Sequence, residues 1–546
     1  MSNLLSDNTK LVIAVLLLGL TLLVLLGGVL LLPQALAPGE PPITPAPTAT
    51  ATATSTATVP ASPPPTWTPA PAETPFFTPD LCPFTPPEEA VVECGFVAVP
   101  ESRSGEPAGT VELAVVLYHS HAAEPAPDPV VYLSGGPGSG AIASLVGDYD
   151  DFVRPLLEER DVIVFDQRGT GFSRPSLACP EYSRVVRQDL RENFPLEEAS
   201  ERYTAALLNC RDRLVAEGVD LAAYTSAASA ADVADLLTAL GYEQANLYGV
   251  SYGTRLAQTV MRDHPERVRS AVLDSVLPIE IDAYNDQLPL VDTALNRLFD
   301  ACAADPSCSA AYPDLEGTYD ALVEQLNAQP VTVPVPDTRL GGTVRMDGTL
   351  ATSAIYLSLA GTESIPRVPQ AIVAASRGDY RGLAPLLSAL PSLERALNMG
   401  VLLSINCHEE VFATTTEELA ADVAGRPNVE TFVRIALFGS AESLYTLCED
   451  WGAAPFAPLE GEPLISEIPT LLIAGAWDPI TPPVFAGQVA ARLENSYLYE
   501  YPGLGHAPSR DAGCPFQMAL DFLADPATAP DAACLQALTP PPFTTP

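Results

Sequence analysis

The stretch Gly249-Val250-Ser251-Tyr252-Gly253 constrains this chain more than any other, because of what flanks it. Ala245-Asn246-Leu247-Tyr248 before it reads as the end of a buried strand, and Thr254 to Arg262 after it has the apolar spacing of a helix. A strand that becomes a helix within a few residues needs a strained turn. Small residues on either side let strand and helix approach, and the central serine is pushed clear of both. The same residues would also suit an ordinary turn or a helix cap. The rest of the chain has to decide between these readings.

Short apolar runs alternate with amphipathic ones along much of the sequence. Val111 to Tyr118, Val130 to Leu133, Val162 to Phe165, Asn246 to Val250 and Ala271 to Leu273 read as strands. So do Thr470 to Ala474 and Tyr497 to Tyr501, with helical stretches such as Ala231 to Leu240 and Leu256 to Arg262 among them. This pattern predicts an α/β fold, a mostly parallel sheet with helices on both faces. The alternation breaks over residues 278–467, which are mainly helical by pattern. We expect that segment to be a cap inserted between two late strands, over the carboxyl ends where ligands bind in such sheets. The sheet core is then residues 80–277 and 468–538.

The amino-terminal part reads differently. Leu11 to Leu32 is an apolar run without charge, long enough to cross a bilayer as a helix. Lys10 precedes it and the next basic residue is Arg103, so the positive-inside rule puts residues 1–10 in the cytoplasm and the remainder outside. Cleavage after Ala35-Leu36-Ala37 would instead release a secreted protein. Residues 33–79 are rich in Pro, Thr and Ala and read as a disordered stalk, and residues 539–546 as a disordered tail. Ten cysteines in sequence-near pairs fit structural disulfides in an oxidising compartment. Proximity suggests Cys82 with Cys94, Cys179 with Cys210, Cys302 with Cys308, Cys407 with Cys448 and Cys514 with Cys534. A net charge of −41 argues against nucleic acid as a partner.

A serine hydroxyl becomes a nucleophile only with a base in reach, itself oriented by a carboxylate. Among five histidines, His119 and His121 read as loop residues, His264 as a helix-end residue and His408 as a second-rank base. His506 follows the last predicted strand in a glycine-flanked loop and is the candidate base. Asp478 follows the strand Thr470 to Ala474 in a loop stiffened by Pro479 and Pro482 and is the candidate acid, with Asp274 as runner-up. Gly135-Gly136-Pro137-Gly138 after Val130 to Leu133 can offer backbone N–H groups to a developing oxyanion. Pro137 has no N–H, so Gly136 is the expected donor there, Gly135 the second choice, and Tyr252 supplies the other. Nothing in the sequence calls for a metal or an organic cofactor.

Gly135-Gly136-Pro137-Gly138, Asp166-Gln167-Arg168-Gly169-Thr170-Gly171-Phe172-Ser173, the Ser251 turn, Asp478-Pro479-Ile480-Thr481-Pro482 and Gly505-His506 together resemble the proline iminopeptidase and tripeptidyl aminopeptidase family of α/β-hydrolases. The resemblance runs from about Cys82 to Cys534 and is nearest to the family's exported, tripeptidyl-aminopeptidase-like branch. Ser134 departs from it, since those enzymes typically carry His or Asn there. The resemblance implies release of residues or short peptides from a free N-terminus through an acyl-enzyme on Ser251. It further implies that Glu409, in Cys407-His408-Glu409, binds the substrate's ammonium group, and that Asp166 and Arg168 stabilise their loop. An ester hydrolase or lipase with the same three groups, and a non-catalytic cell-surface binding protein, are the competing expectations.

Overall fold

The computed structural model describes residues 75–103, 109–281, 290–335, 342–385, 387, 397–411, 415–418, 441–511 and 513–546. The expected membrane span 11–32, the cytoplasmic residues 1–10 and nearly all of the stalk lie outside them. Among the described residues no helix is long and apolar enough to cross a membrane.

Strands β1 (Phe77–Pro79), β2 (Val92–Pro100), β3 (Thr110–Tyr118), β4 (Val130–Leu133), β5 (Val162–Phe165), β6 (Ala245–Val250) and β7 (Val268–Asp274) belong to one nine-stranded sheet. β8 (Val331–Pro334) and β9 (Thr343–Met346) pair only with each other, and β10 (Thr470–Gly475) and β11 (Ser496–Tyr501) complete the main sheet. Its order is β1-β2-β3-β5-β4-β6-β7-β10-β11. The six strands from β5 to β11 are joined by parallel pairings, and β1, β2 and β3 by antiparallel ones.

Burial explains which strands were legible. β4, β5, β6 and β10 are buried at every position, so β4 and β5 read as continuous apolar runs, and β6 and β10 as apolar runs broken only by Asn246 and opened by Thr470. β2 is half-exposed, with Gly95 and Glu93 interrupting its pattern, and escaped the sequence reading. The stalk also ends earlier than expected. Phe77–Pro79 pairs with Gly95–Val97 as an edge strand, a place where the missing N–H of Pro79 costs no ladder bond.

Alternate residues of the strands feed two cores. Val131, Leu133, Ile163, Leu247, Leu273 and Leu472 face one side, and Tyr132, Val164, Tyr248, Val272 and Ile473 the other. On the first side lie α1 (Ser226–Leu240) and α2 (Tyr252–Asp263). Thr225 caps α1 by accepting from the Ala228 N–H, and Gly241 ends it at φ 82°. The chain leaves the sheet after β7 and returns at β10, its neighbour. In between it builds α3 (Leu290–Ala304), α4 (Leu315–Ala328), the β8–β9 hairpin, α5 (Gly348–Ser358), α6 (Met399–Glu409) and α7 (Ala441–Trp451). Leu295, Leu322, Ile355 and Leu403 from these helices share the first core with α1 and α2. The cap therefore has no separate interior, and residues 75–546 fall in one compact unit.

All five disulfides join the cysteines that proximity paired. The tail does not behave as expected. Thr544 donates its N–H to the Pro366 carbonyl and accepts from the Tyr312 hydroxyl, both at 2.8 Å. The Phe543 ring meets the Trp477 ring edge-on at 6.4 Å. Phe543 adds buried apolar area to these hydrogen bonds, while the prolines lower the entropy lost on docking.

Candidate active site

Ser251 sits at φ 59° and ψ −129°, between the end of β6 and the first turn of α2. A side chain there is strained, and the glycines on either side show what the strain achieves. A Cβ on Gly253 would stand 2.0 Å from the Leu133 carbonyl oxygen, and one on Gly249 would stand 2.5 Å from the Gly253 carbonyl oxygen. Strand and helix touch at these two points. Gly253→Ala is therefore expected to cost at least about 1–3 kcal/mol from overpacking, read as a lower melting temperature in calorimetry; an unchanged value would contradict the packing argument. The elbow is also tied to its neighbours. The Ser251 N–H donates to the Asp274 carbonyl at 2.9 Å, and the Thr254 N–H and hydroxyl both donate to the Ser251 carbonyl.

The candidate base and acid come from the two strands beyond β7. His506 follows β11 and Asp478 follows β10, and His506 Nδ1 lies 2.7 Å from Asp478 Oδ2. Both side chains are fully enclosed. Asp478 Oδ1 accepts from the N–H groups of Ile480 and Thr481, and Oδ2 from the Thr481 hydroxyl at 2.7 Å. Burial pushes this carboxyl up, but the His506 imidazole and the Thr481 donors outweigh it and hold the group below its ordinary range. Asp478 thus stays an anion, which fixes the ring with its proton on Nδ1 and leaves Nε2 as an acceptor. His506 Nε2 and Ser251 Oγ are both buried and neither has a hydrogen-bond partner among the described residues. They are the two atoms that a proton transfer from serine to imidazole has to join, and such bonds often tighten only when substrate is present.

The loops are held by close backbone contacts. A Cβ on Gly475 would stand 1.8 Å from the Gly505 carbonyl oxygen, so the acid and base loops pack directly together. The cap contributes too, since the His506 N–H donates to the Ala360 carbonyl at 2.8 Å and the Gly505 N–H to the Thr362 hydroxyl at 3.1 Å.

Asp274, the runner-up acid, is turned elsewhere. Its Oδ2 accepts from the Ser509 N–H at 3.0 Å and from the Ser509 hydroxyl. Burial is the main reason its carboxyl is raised to about 7, against the lowering effect of Ser509 and His506. It anchors the chain just past His506, beside Ser275, whose hydroxyl accepts from the Ala507 N–H at 2.7 Å. Nothing in the local sequence of Asp274 announces that role. Thr481 was equally silent as a single residue, although it lies in the motif that carries Asp478.

Gly135 faces the serine, where a Cβ would stand 3.0 Å from Ser251 Cβ and 3.5 Å from Oγ. Gly136 follows at φ 125°, a conformation that a side chain would strain. Tyr252 opens α2, so its N–H has no partner within the helix. The Asp166 loop supports this region. Asp166 accepts from the Ile142 and Phe172 N–H groups, with burial raising its carboxyl to about 6. Gln167 donates to the Ser134 carbonyl at 2.9 Å, and the buried Arg168 makes a two-point pair with Asp232. These are contacts that shape a loop, as expected of Asp166 and Arg168.

Glu409, at the end of α6, directs its hydrogen bonds to Ser226 and not to Ser251, Asp478 or His506. Its two oxygens accept from the Ser226 N–H at 2.7 Å and hydroxyl at 2.8 Å, and it lines a small cavity with Arg255, Glu460 and Phe456. His408 pairs with Glu460 at 2.6 Å and His119 with Glu93 at 2.9 Å, so neither reaches Ser251. Among the described residues no group of three or more His, Cys, Asp or Glu side chains could hold a metal ion.

Known proteins are similar to this chain in sequence. Residues 128–312 match the family described as alpha/beta hydrolase fold, and residues 436–534 the family described as TAP-like protein. The serine protease Hip1 of Mycobacterium tuberculosis is 24% identical over 423 residues, which cover 74% of this chain and 80% of that protein. The putative hydrolase YuaR of Escherichia coli is 24% identical over 435 residues, 76% of this chain and 81% of that one. A tripeptidyl aminopeptidase of Streptomyces lividans is 28% identical over 194 residues, covering 34% and 35% of the two chains.

Proposed function

Because the chain belongs to the α/β-hydrolase family and is a serine hydrolase of the peptidase kind, we propose that it is an exported, N-terminally anchored exopeptidase that releases residues or short peptides from free N-termini. One observation carries the chemistry: a buried Asp478–His506 pair at 2.7 Å, with His506 Nε2 and the Oγ of the elbow serine both buried and without a hydrogen-bond partner among the described residues. In this reading Ser251 Oγ attacks the scissile carbonyl while His506 Nε2 takes its proton. The tetrahedral oxyanion lies against the N–H groups of Tyr252 and Gly136. His506 then hands the proton to the leaving amine, the C–N bond breaks, and an acyl-enzyme remains. Water attacks that ester by the same route in reverse, its proton passing through His506 back to Ser251.

Specificity for a free N-terminus needs a carboxylate for the ammonium group. Glu409 is our candidate, since each of its oxygens carries one bond to Ser226 and it faces a cavity. Glu409→Gln is expected to raise KM for peptides with free N-termini roughly tenfold, the size of one charge-assisted hydrogen bond. N-blocked peptides and esters should be unaffected. An equal change for blocked and free substrates would remove Glu409 from that role.

Five disulfides support export, and the apolar run 11–32 supports an anchor with residues 33–79 as its spacer. The deciding assay is a panel of free and N-blocked peptide anilides beside short- and long-chain esters. Preference for free N-termini is the expected result. Equal cleavage of blocked peptides would contradict an exopeptidase, and turnover of esters alone would make the protein an esterase.

A further inference from the structure

The glycine loop beside Ser251 is not held by the sheet alone. Ser139 and Leu397 form an antiparallel bridge between that loop and the cap. The next cap residue, Asn398, donates its backbone N–H to the Gly138 carbonyl at 2.9 Å and its side-chain amide to the same oxygen at 3.3 Å. Its amide oxygen accepts from the Ser176 hydroxyl at 3.2 Å. The contact is tight, since a Cβ on Gly138 would stand 2.8 Å from the Asn398 carbonyl oxygen, and Asn398 is only 7% exposed.

Gly136 and Gly138 both have positive φ, 125° and 101°. Glycines have a wide choice of backbone conformations, so a loop built from them needs outside contacts to keep its N–H groups aimed. Asn398 supplies two donors to one carbonyl of that loop. It is also the residue before α6, whose far end is tied to the helix of the serine elbow by the buried ion pair of Glu410 with Arg255. One cap helix therefore runs from the glycine loop to α2, which carries the Tyr252 N–H.

We propose that Asn398 is a positioning residue for the oxyanion hole, acting through the Gly138 carbonyl, so that the cap helps assemble the reaction centre as well as enclosing it. The proposal rests on the reading of Gly136 and Tyr252 as the oxyanion donors. Loss of one such donor costs about a hundredfold or more in kcat, and a misaimed one correspondingly less. For Asn398→Ala we expect kcat to fall about tenfold with KM within about twofold. Affinity for a peptidyl boronic acid, whose tetrahedral adduct on Ser251 places an oxygen in the hole, should fall by the same factor. Binding of the product peptide to the Ser251→Ala background should not change when Asn398→Ala is added.

Unchanged kcat and boronate affinity would overturn the proposal, and so would a rise in KM at constant kcat, which would make Asn398 a binding residue. Ser176→Ala frees the amide oxygen of Asn398 and, away from the glycine loop, the Ala178 N–H that donates to the Ser176 hydroxyl at 3.4 Å. It should move kcat and boronate affinity in the same direction by about two- to threefold, and it decides the question if Asn398→Ala does not fold. Covalent labelling of wild-type Ser251 by a fluorophosphonate separates the two levels. No labelling means the serine-hydrolase reading has failed, whereas labelling with an inert Asn398→Ala change means that only this inference has.

Discussion

Ser251→Ala is expected to abolish turnover of every peptide and ester substrate, a fall of about a millionfold in kcat where serine and imidazole act as one unit. The size follows from the geometry. Ser251 Oγ is a buried hydroxyl with no hydrogen-bond partner among the described residues, an arrangement with no structural use for the oxygen. Removing it takes away the nucleophile and no stabilising contact. The backbone at φ 59° is equally strained for alanine and serine, so the melting temperature should stay close to wild type. Steady-state kinetics with peptide anilides and calorimetry on the same preparations test both halves. Residual activity above about 1% of wild type, or a collapse in thermal stability, would refute the assignment of Ser251 as a nucleophile freed from structural duty.

The second large effect separates two buried aspartates. Asp478→Asn should lower kcat by about ten-thousandfold, because an amide group facing His506 Nδ1 favours the tautomer with its proton on Nε2. That ring cannot accept the serine proton. Asp274→Asn should change kcat by less than about tenfold, since an Asn oxygen can still accept from Ser509 and only the anchoring of the loop is touched.

Asp274→Asn has its own signature in stability. The folded protein holds the Asp274 proton up to about pH 7, whereas the unfolded chain releases it near the ordinary value of 3.8. The folded state therefore binds the extra proton between those values, and the contribution of this group to stability declines as pH rises from about 4 to about 7. Asparagine cannot ionise, so the variant's melting temperature relative to wild type should climb between pH 5 and pH 8. Calorimetry at the two pH values reads this directly, and a difference that does not vary with pH would rule out a buried proton on Asp274. If Asp274→Asn proves the inactive variant and Asp478→Asn the active one, the acid has been misassigned.

Legibility followed the range of the forces involved. The buried parallel strands and the helix after Ser251 were visible because their burial imposes a local hydrophobic pattern. Ser251, Asp478 and His506 could be named because each follows such a strand in a loop whose glycines or prolines are conspicuous. The half-exposed β2 and the β8–β9 hairpin were missed, since their alternation is short and interrupted. The docking of Phe543 on Trp477 and of Thr544 on Pro366 and Tyr312 was missed because these partners are distant in sequence.

By itself the sequence determined the fold class, and it pointed to the cysteine pairs, to Ser251 and His506 and to two candidate aspartates, all through local periodicity, turn chemistry and short separations. The tertiary structure alone decided which aspartate meets the imidazole. Asp274 ends β7 and Asp478 follows its neighbour β10, and both are buried beside the His506 loop. Only the way that loop folds back sets Nδ1 against Asp478 and Ser509 against Asp274. The tertiary structure also joined Asn398 to Gly138, 260 residues apart in sequence. No local pattern encodes such a contact, because its stability comes from the packing that brings the two segments together.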